Sequence, residues 1–201
     1  MACKVCIMNF GVKFLFGFLL LGLIAGCERP DTHPLPAGKS TGLVPLPQVV
    51  EPLEGEAKGR GFRCEGALTL MWPEGWDMSV MASWLEEAQL SWERTSEERE
   101  ADWIWRATED DLGQEGYTLT VKRDQVTITA RDAEAAFRAW TTLRQLMPAG
   151  CEQGCPQGFE LPAVAIQDSA YLPHRGLLLD CCRHFMAPSF VEDMIDVLAL
   201  Q

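Results

Sequence analysis

Positive charge is what this sequence most lacks. Its 201 residues carry 17 Lys and Arg against 29 Asp and Glu, a formal charge of −12 with a pI near 4.7. A nucleic-acid partner needs a basic stripe to neutralise phosphates, so that class is excluded. The acidity is scattered, and its one cluster, Glu97, Glu98 and Glu100, reads as a solvated helix end or loop. A spanning hydrophobic run is also missing: Phe14 to Ile24 gives 11 residues, whereas a bilayer needs about 20. Histidine is scarce, three in all, and no second cysteine pair or histidine lies near Cys151 and Cys155 to complete a zinc site. No internal repeat is present.

The N-terminus carries an export pattern. Lys4 and Lys13 precede the short apolar run, which reads as a secretory signal rather than a span. Leu23-Ile24-Ala25-Gly26-Cys27 follows it and resembles a bacterial lipobox. That resemblance implies cleavage before Cys27 and acylation of its thiol, with the protein held in the cell envelope by a lipid anchor. The competing reading is an ordinary signal peptide with a chance cysteine. Loss of residues 1–26 removes Lys4 and Lys13 and no acid, leaving 15 basic residues against 29 acidic and a charge of −14. Residues 27–42, with Pro30, Pro34, Pro36 and Gly38, have no apolar period and read as a flexible tether. In an exported protein Cys151 and Cys155, set in a Gly-rich loop, most simply form a small loop disulfide.

Residues 43–168 alternate between strand and helix patterns. Ala67–Trp72 alternates as a strand, and Asp77 or Ser79 can cap a helix that places Met78, Met81, Trp84, Leu85 and Ala88 on one side. Asp102–Arg106 reads as a strand. Gly116–Val121 and Val126–Ala130 alternate on either side of a four-residue connection, which is a hairpin pattern. Asp132 caps a helix bearing Ala133, Ala136, Phe137, Trp140, Leu143 and Met147 on one face. Leu161–Ile166 closes the section. This order predicts an α+β domain in which two helices cover a mostly antiparallel sheet.

The last 33 residues change character. Gly176-Leu177-Leu178-Leu179-Asp180 reads as a parallel strand buried on both faces, ending in the polar cluster Asp180, Arg183 and His184. Cys181 and Cys182 read as core residues on opposite strand faces. Ser189-Phe190-Val191-Glu192 has the form of a capping box, and Phe190, Val191, Met194, Ile195 and Leu198 recur at helical spacing. Residues 169–201 therefore read as the first βα unit of a larger α/β body. A (β/α)₈ barrel takes about 250 residues, so the sequence reads as a fragment.

Three segments give the chain a family resemblance: Leu43-Val-Pro-Leu-Pro47; Glu115-Gly-Tyr-Thr-Leu-Thr-Val121 with Phe137–Leu146; and Leu161-Pro-Ala163 with Ile166-Gln-Asp168 and His174-Arg-Gly-Leu-Leu-Leu-Asp-Cys-Cys-Arg-His-Phe185. From about Leu43 onward the chain resembles glycoside hydrolase family 20, the β-N-acetylhexosaminidases. Alanine at 136 and 139 stands where the family usually has glycine nearby. The resemblance implies an α+β N-terminal domain followed by a (β/α)₈ barrel, of which only the first βα unit is present here. It implies removal of terminal β-linked N-acetylglucosamine or N-acetylgalactosamine from oligosaccharides or glycans by a substrate-assisted retaining mechanism, with no metal or organic cofactor. The Asp-Glu pair of that mechanism lies on a later barrel strand, so no catalytic residue falls within these 201 residues and the chain alone is expected to be inactive. Asp110-Asp111 and Glu86-Glu87 read as surface carboxylates. Arg175 matches the family arginine that binds the 3- and 4-hydroxyls of the terminal sugar, for which a fixed fork of donors is suited. The competing reading of Arg175 is a buried arginine paired with a barrel carboxylate. Strand position alone favours Asp180, Arg183 and His184; beside Arg175 they become structural, joining strand end to loop. The alternative for the whole chain is a non-catalytic, lipid-anchored binding or scaffold protein.

Overall fold

Alternation sets the centre of the sheet. Tyr117–Val121 and Val126–Ala130 each bury every second side chain, and they pair antiparallel in register from Tyr117 opposite Ala130 to Val121 opposite Val126. This is the predicted hairpin. The computed structural model describes residues 42–53, 60–155 and 158–200. The export segment, Cys27 and nearly all of the tether lie outside the described residues.

Among the described residues, nine strands and three α-helices follow in chain order: β1 (Val49–Pro52), β2 (Arg60–Cys64), β3 (Leu68–Met71), α1 (Ser79–Glu87), β4 (Trp92–Arg94), β5 (Trp103–Ala107), β6 (Tyr117–Val121), β7 (Val126–Ala130), α2 (Ala133–Leu146), β8 (Phe159–Pro162), β9 (Val164–Asp168) and α3 (Pro188–Ala199). Seven strands form one sheet in the order β1-β9-β6-β7-β5-β3-β4, and β2 pairs with β8 in a separate ribbon. The sheet is mixed rather than mostly antiparallel. Pairs β1–β9, β9–β6 and β6–β7 are antiparallel, whereas β7–β5, β5–β3 and β3–β4 are parallel. For β3–β4 the crossover runs through α1, which returns the chain so that β4 enters alongside β3 in the same direction. A matched clasp joins the neighbouring pair: Asp102 Oδ2 accepts the Thr69 N–H at 2.8 Å and the Asp102 N–H donates to Thr69 O at 2.7 Å.

Both helices form where the sequence places them. The Asp132 side chain accepts the Ala135 N–H at 2.9 Å, satisfying one of the unpaired donors at the start of α2. At α1 the residue preceding the helix, Met78, offers no side-chain cap, and Asp77 instead accepts the Ser79 N–H at 2.9 Å. The predicted stripe of α1 is buried throughout, from Met78 to Ala88. Its Trp84 meets Trp140 of α2 edge-on with centroids 5.3 Å apart, and Trp140 in turn meets Trp103 of β5 at 6.2 Å. Phe62 of β2 and Phe159 of β8 reach Trp103 from the ribbon. A tryptophan chain therefore ties both helices and both sheets into one core.

A disulfide joins Cys151 and Cys155 in the loop after α2. Glu152 between them takes the Arg144 guanidinium on both oxygens, at 2.8 and 2.5 Å, and the Trp84 indole N–H at 3.3 Å. These bonds hold the Glu152 carboxyl below the usual carboxylate range. The loop is thereby fastened to α1 and α2 together.

Residues 174–180 take no regular secondary structure and pair with none of the described strands, so the predicted strand Gly176–Asp180 is not formed. A parallel strand gains its ladder from neighbours on both sides, and the described residues supply neither. Cys181 and Cys182 are exposed for the same reason, as are Leu178 and Phe185. Helix α3 forms, yet the predicted capping box does not. Pro188 occupies the first helical position, where its missing N–H costs nothing, and Ala187 becomes the N-cap without a side-chain bond. No residue of α3 is buried.

Candidate functional site

The route to Arg175 begins in the loop between β5 and β6. Thr108, Asp110 and Asp111 side chains and carbonyls fold it tightly: Thr108 Oγ1 accepts the Asp110 N–H, Asp111 Oδ1 accepts the Gly113 N–H, and Gly113 O accepts the Gly116 N–H. Glu115 sits at the end of this loop with φ of 52°, in the left-handed region that few non-glycine residues occupy. Gly116 follows because nothing else fits: a Cβ there would lie 2.0 Å from Leu112 O. The turn aims the Glu115 side chain inward, where it is 10% exposed.

Two arginines converge on it. Arg138 of α2 donates from Nε to Glu115 Oε2 at 2.7 Å, and Arg175 donates from Nη2 to the same oxygen at 2.6 Å. Burial alone would raise the Glu115 pKa, but the hydrogen bonds and charges of Arg175 and Arg138 outweigh it and hold the carboxyl below its usual range. Arg175 Nη1 donates to Leu172 O at 2.8 Å, so each terminal nitrogen of its fork is anchored. Arg138 Nη1 also reaches Ala199 O at the end of α3, at 3.4 Å. A backbone bond from Ala170 N to Gln114 O, 2.8 Å long, fixes the start of the C-terminal segment to the same loop.

A guanidinium has five N–H donors. Two of those on Arg175 are engaged within the described residues, and its side chain is 35% exposed. The other three have no partner among the described residues, and a planar set of donors suits neighbouring hydroxyls or a carboxylate. The arginine is thus paired with a carboxylate, as one sequence reading has it, but that carboxylate comes from the α+β domain and not from a barrel strand.

Asp180, Arg183 and His184 form a separate group. Asp180 Oδ1 accepts the N–H groups of Cys182 and Arg183, both at 3.1 Å, while Arg183 Nε donates to Asp180 Oδ2 at 2.7 Å. Asp180 thus builds a tight turn, and His184 lies exposed just after it. Asp110, Asp111, Glu86 and Glu87 are exposed on the surface. Among the described residues no three His, Cys, Asp or Glu side chains gather to hold a metal ion.

Glu115 and Arg138 are the residues that sequence reasoning missed. Both stand inside segments that carry the family resemblance, yet nothing local links them to Arg175, which lies 60 positions beyond Glu115.

The chain is similar in sequence and fold to known proteins. The model of glycosyl hydrolase family 20, domain 2, matches residues 40–169, and that of the glycosyl hydrolase family 20 catalytic domain matches residues 172–201. A beta-hexosaminidase of Porphyromonas gingivalis is 35% identical over 91 residues, covering 44% of this chain and 12% of that protein. The GH20 beta-N-acetylhexosaminidase of Streptomyces coelicolor superposes with a TM-score of 0.65 at 30% identity, over 77% of this chain and 31% of the other. A mutant beta-hexosaminidase of Streptomyces plicatus in complex with product GlcNAc superposes at 0.66 with 26% identity, over 77% and 31%. The chain thus spans under a third of each of these relatives.

Proposed function

This chain belongs to glycosyl hydrolase family 20, and from that premise we propose that it forms the N-terminal part of an exo-β-N-acetylhexosaminidase. The substrate is a terminal β-linked N-acetylhexosamine on an oligosaccharide or glycan. Residues 43–168 serve as the α+β domain and residues 169–201 open the catalytic barrel. The observation that carries the reading is the Arg175 guanidinium: anchored at Leu172 O and Glu115, it keeps three donors without a partner among the described residues, at the head of the segment matched by the catalytic-domain model.

In this reading Arg175 binds two adjacent hydroxyls of the non-reducing sugar and sets that ring in place. The sugar's own acetamido oxygen then attacks the anomeric carbon, while one carboxylic acid protonates the leaving oxygen and a neighbouring carboxylate orients the acetamido group. Those two carboxylates belong to later strands of the barrel, so residues 1–201 by themselves do not hydrolyse substrate. Asp180 and Arg183 shape the turn that leads into α3.

Replacing Arg175 by alanine in the full-length protein tests the assignment. Hydrogen bonds to a charged group contribute about 1.5–3 kcal/mol each, so loss of even one lowers kcat/KM for an aryl N-acetyl-β-glucosaminide by at least about tenfold. A value within about threefold of wild type contradicts the role of Arg175.

The export segment leads to a second part of the proposal: acylation of Cys27 and anchorage in the bacterial cell envelope. A Cys27→Ala protein is then released into the soluble fraction, and its retention in membranes contradicts the anchor.

A further inference from the structure

We infer that Glu115 is a positioning residue for substrate binding: it sets the plane and reach of the Arg175 guanidinium from the α+β domain. The inference rests on the reading of Arg175 as the sugar-binding arginine.

Residues 172–178 are exposed and make no strand ladder among the described residues. A free arginine side chain gives up rotamer freedom when it is ordered on a ligand, a cost that binding would otherwise have to overcome. The orientation of Arg175 comes from two anchors at opposite ends of the fork: Nη1 on the carbonyl of Leu172 and Nη2 on Glu115 Oε2. The first anchor is three residues away and shares whatever motion the segment has. Among the described residues, Glu115 ties the guanidinium to the packed α+β domain.

Glu115 is itself immobilised. Its backbone is held in the left-handed region at φ 52°, Gly116 behind it admits no side chain, and Arg138 grips the same oxygen from α2. Arg138 is anchored in turn by a mostly buried helix face. A rigid carboxylate is therefore aimed at the one arginine assigned to the sugar. Preorganisation of this kind raises the population of the binding-competent rotamer without adding a contact to the substrate.

A merely structural ion pair would support the fold and affect every substrate alike. A positioning role is felt only through the hydroxyls that Arg175 touches. The experiment compares wild type, Glu115→Gln, Glu115→Ala, Arg175→Ala and the Glu115→Ala/Arg175→Ala double variant in the full-length protein. Steady-state kinetics are measured with an aryl N-acetyl-β-glucosaminide and with its 4-deoxy analogue. The Gln variant keeps the size of the side chain, so it reports even where the Ala variant folds poorly. Expected are a preference for the 4-hydroxyl that shrinks at least about tenfold in Arg175→Ala, a shrinkage in the same direction in both Glu115 variants, and a double variant no more than threefold below Arg175→Ala alone. Glu115 variants that keep the wild-type preference while Arg175→Ala loses it overturn the positioning role and leave the assignment of Arg175 standing. Wild-type activity and preference in Arg175→Ala overturn both.

Discussion

Arg138 Nε donates to Glu115 Oε2 across 2.7 Å, and with side chains 26% and 10% exposed both groups are largely withdrawn from water. A carboxylate so placed depends on its cations: losing them leaves an uncompensated charge at a half-dry site, which costs more than the pair itself contributes. The contact therefore ties helix α2 to the loop before β6 in a way that pH can probe.

The Glu115 carboxyl is held below its usual value of 4.5. A lowered acid adds stability that is fully present above the unfolded value and is lost as pH falls through the folded one. Asp168 acts in the opposite sense, since burial pushes its carboxyl up, so the contribution of Glu115 is read against Glu115→Gln, where Asp168 cancels. In urea unfolding of this chain, wild type exceeds the Gln variant above pH 4.5, and the gap closes on acidification. A gap independent of pH contradicts the ion pair.

Gly116→Ala tests the turn that aims Glu115. The new Cβ would lie 2.0 Å from Leu112 O and 2.9 Å from Leu112 Cβ, so backbone must move. Destabilisation of about 3 kcal/mol or more is expected. Gly150→Ala, where a Cβ meets open space, stays within about 0.5 kcal/mol. Equal unfolding midpoints for the two variants would refute the steric account.

The thiols should separate by burial. Burial raises the Cys64 pKa, and a thiol that stays protonated attacks electrophiles slowly; Cys181 and Cys182 are exposed. Peptide mass spectrometry after brief iodoacetamide treatment of this chain at pH 8 is expected to find label at 181 and 182, with Cys64 modified only after unfolding. Label at Cys64 as rapid as at Cys181 speaks against the core placement of β2.

What the sequence made legible was local. The hairpin β6–β7 shows in its alternation, α2 in the Asp132 cap and its apolar face, and α1 in its Met and Trp stripe. Strands β1, β2 and β4 left no such signal: β1 ends on Pro52, β2 carries Gly61, and β4 is only three residues long. The parallel pairs depend on crossover connections between strands, which no short window records. Ser189 failed as a cap because Pro188 had already taken the first helical position. The clamp of Glu115 on Arg175 joins residues 60 positions apart; motif spacing can mark each partner but cannot pair them. Exposure of Leu178 and Phe185 follows from strand neighbours absent among the described residues, which an apolar run by itself does not disclose.

The most direct test of the hexosaminidase assignment is the need for the 2-acetamido group. Hydrolysis by the full-length protein is compared for two aryl β-glucosides that differ only in carrying 2-acetamido or 2-hydroxyl. Because the acetamido oxygen is the nucleophile in the proposed chemistry, kcat/KM for the first is expected to exceed that for the second by at least about a thousandfold, a difference of about 4 kcal/mol in barrier. Comparable rates on both substrates would contradict a substrate-assisted hexosaminidase and, with it, the role given to Arg175.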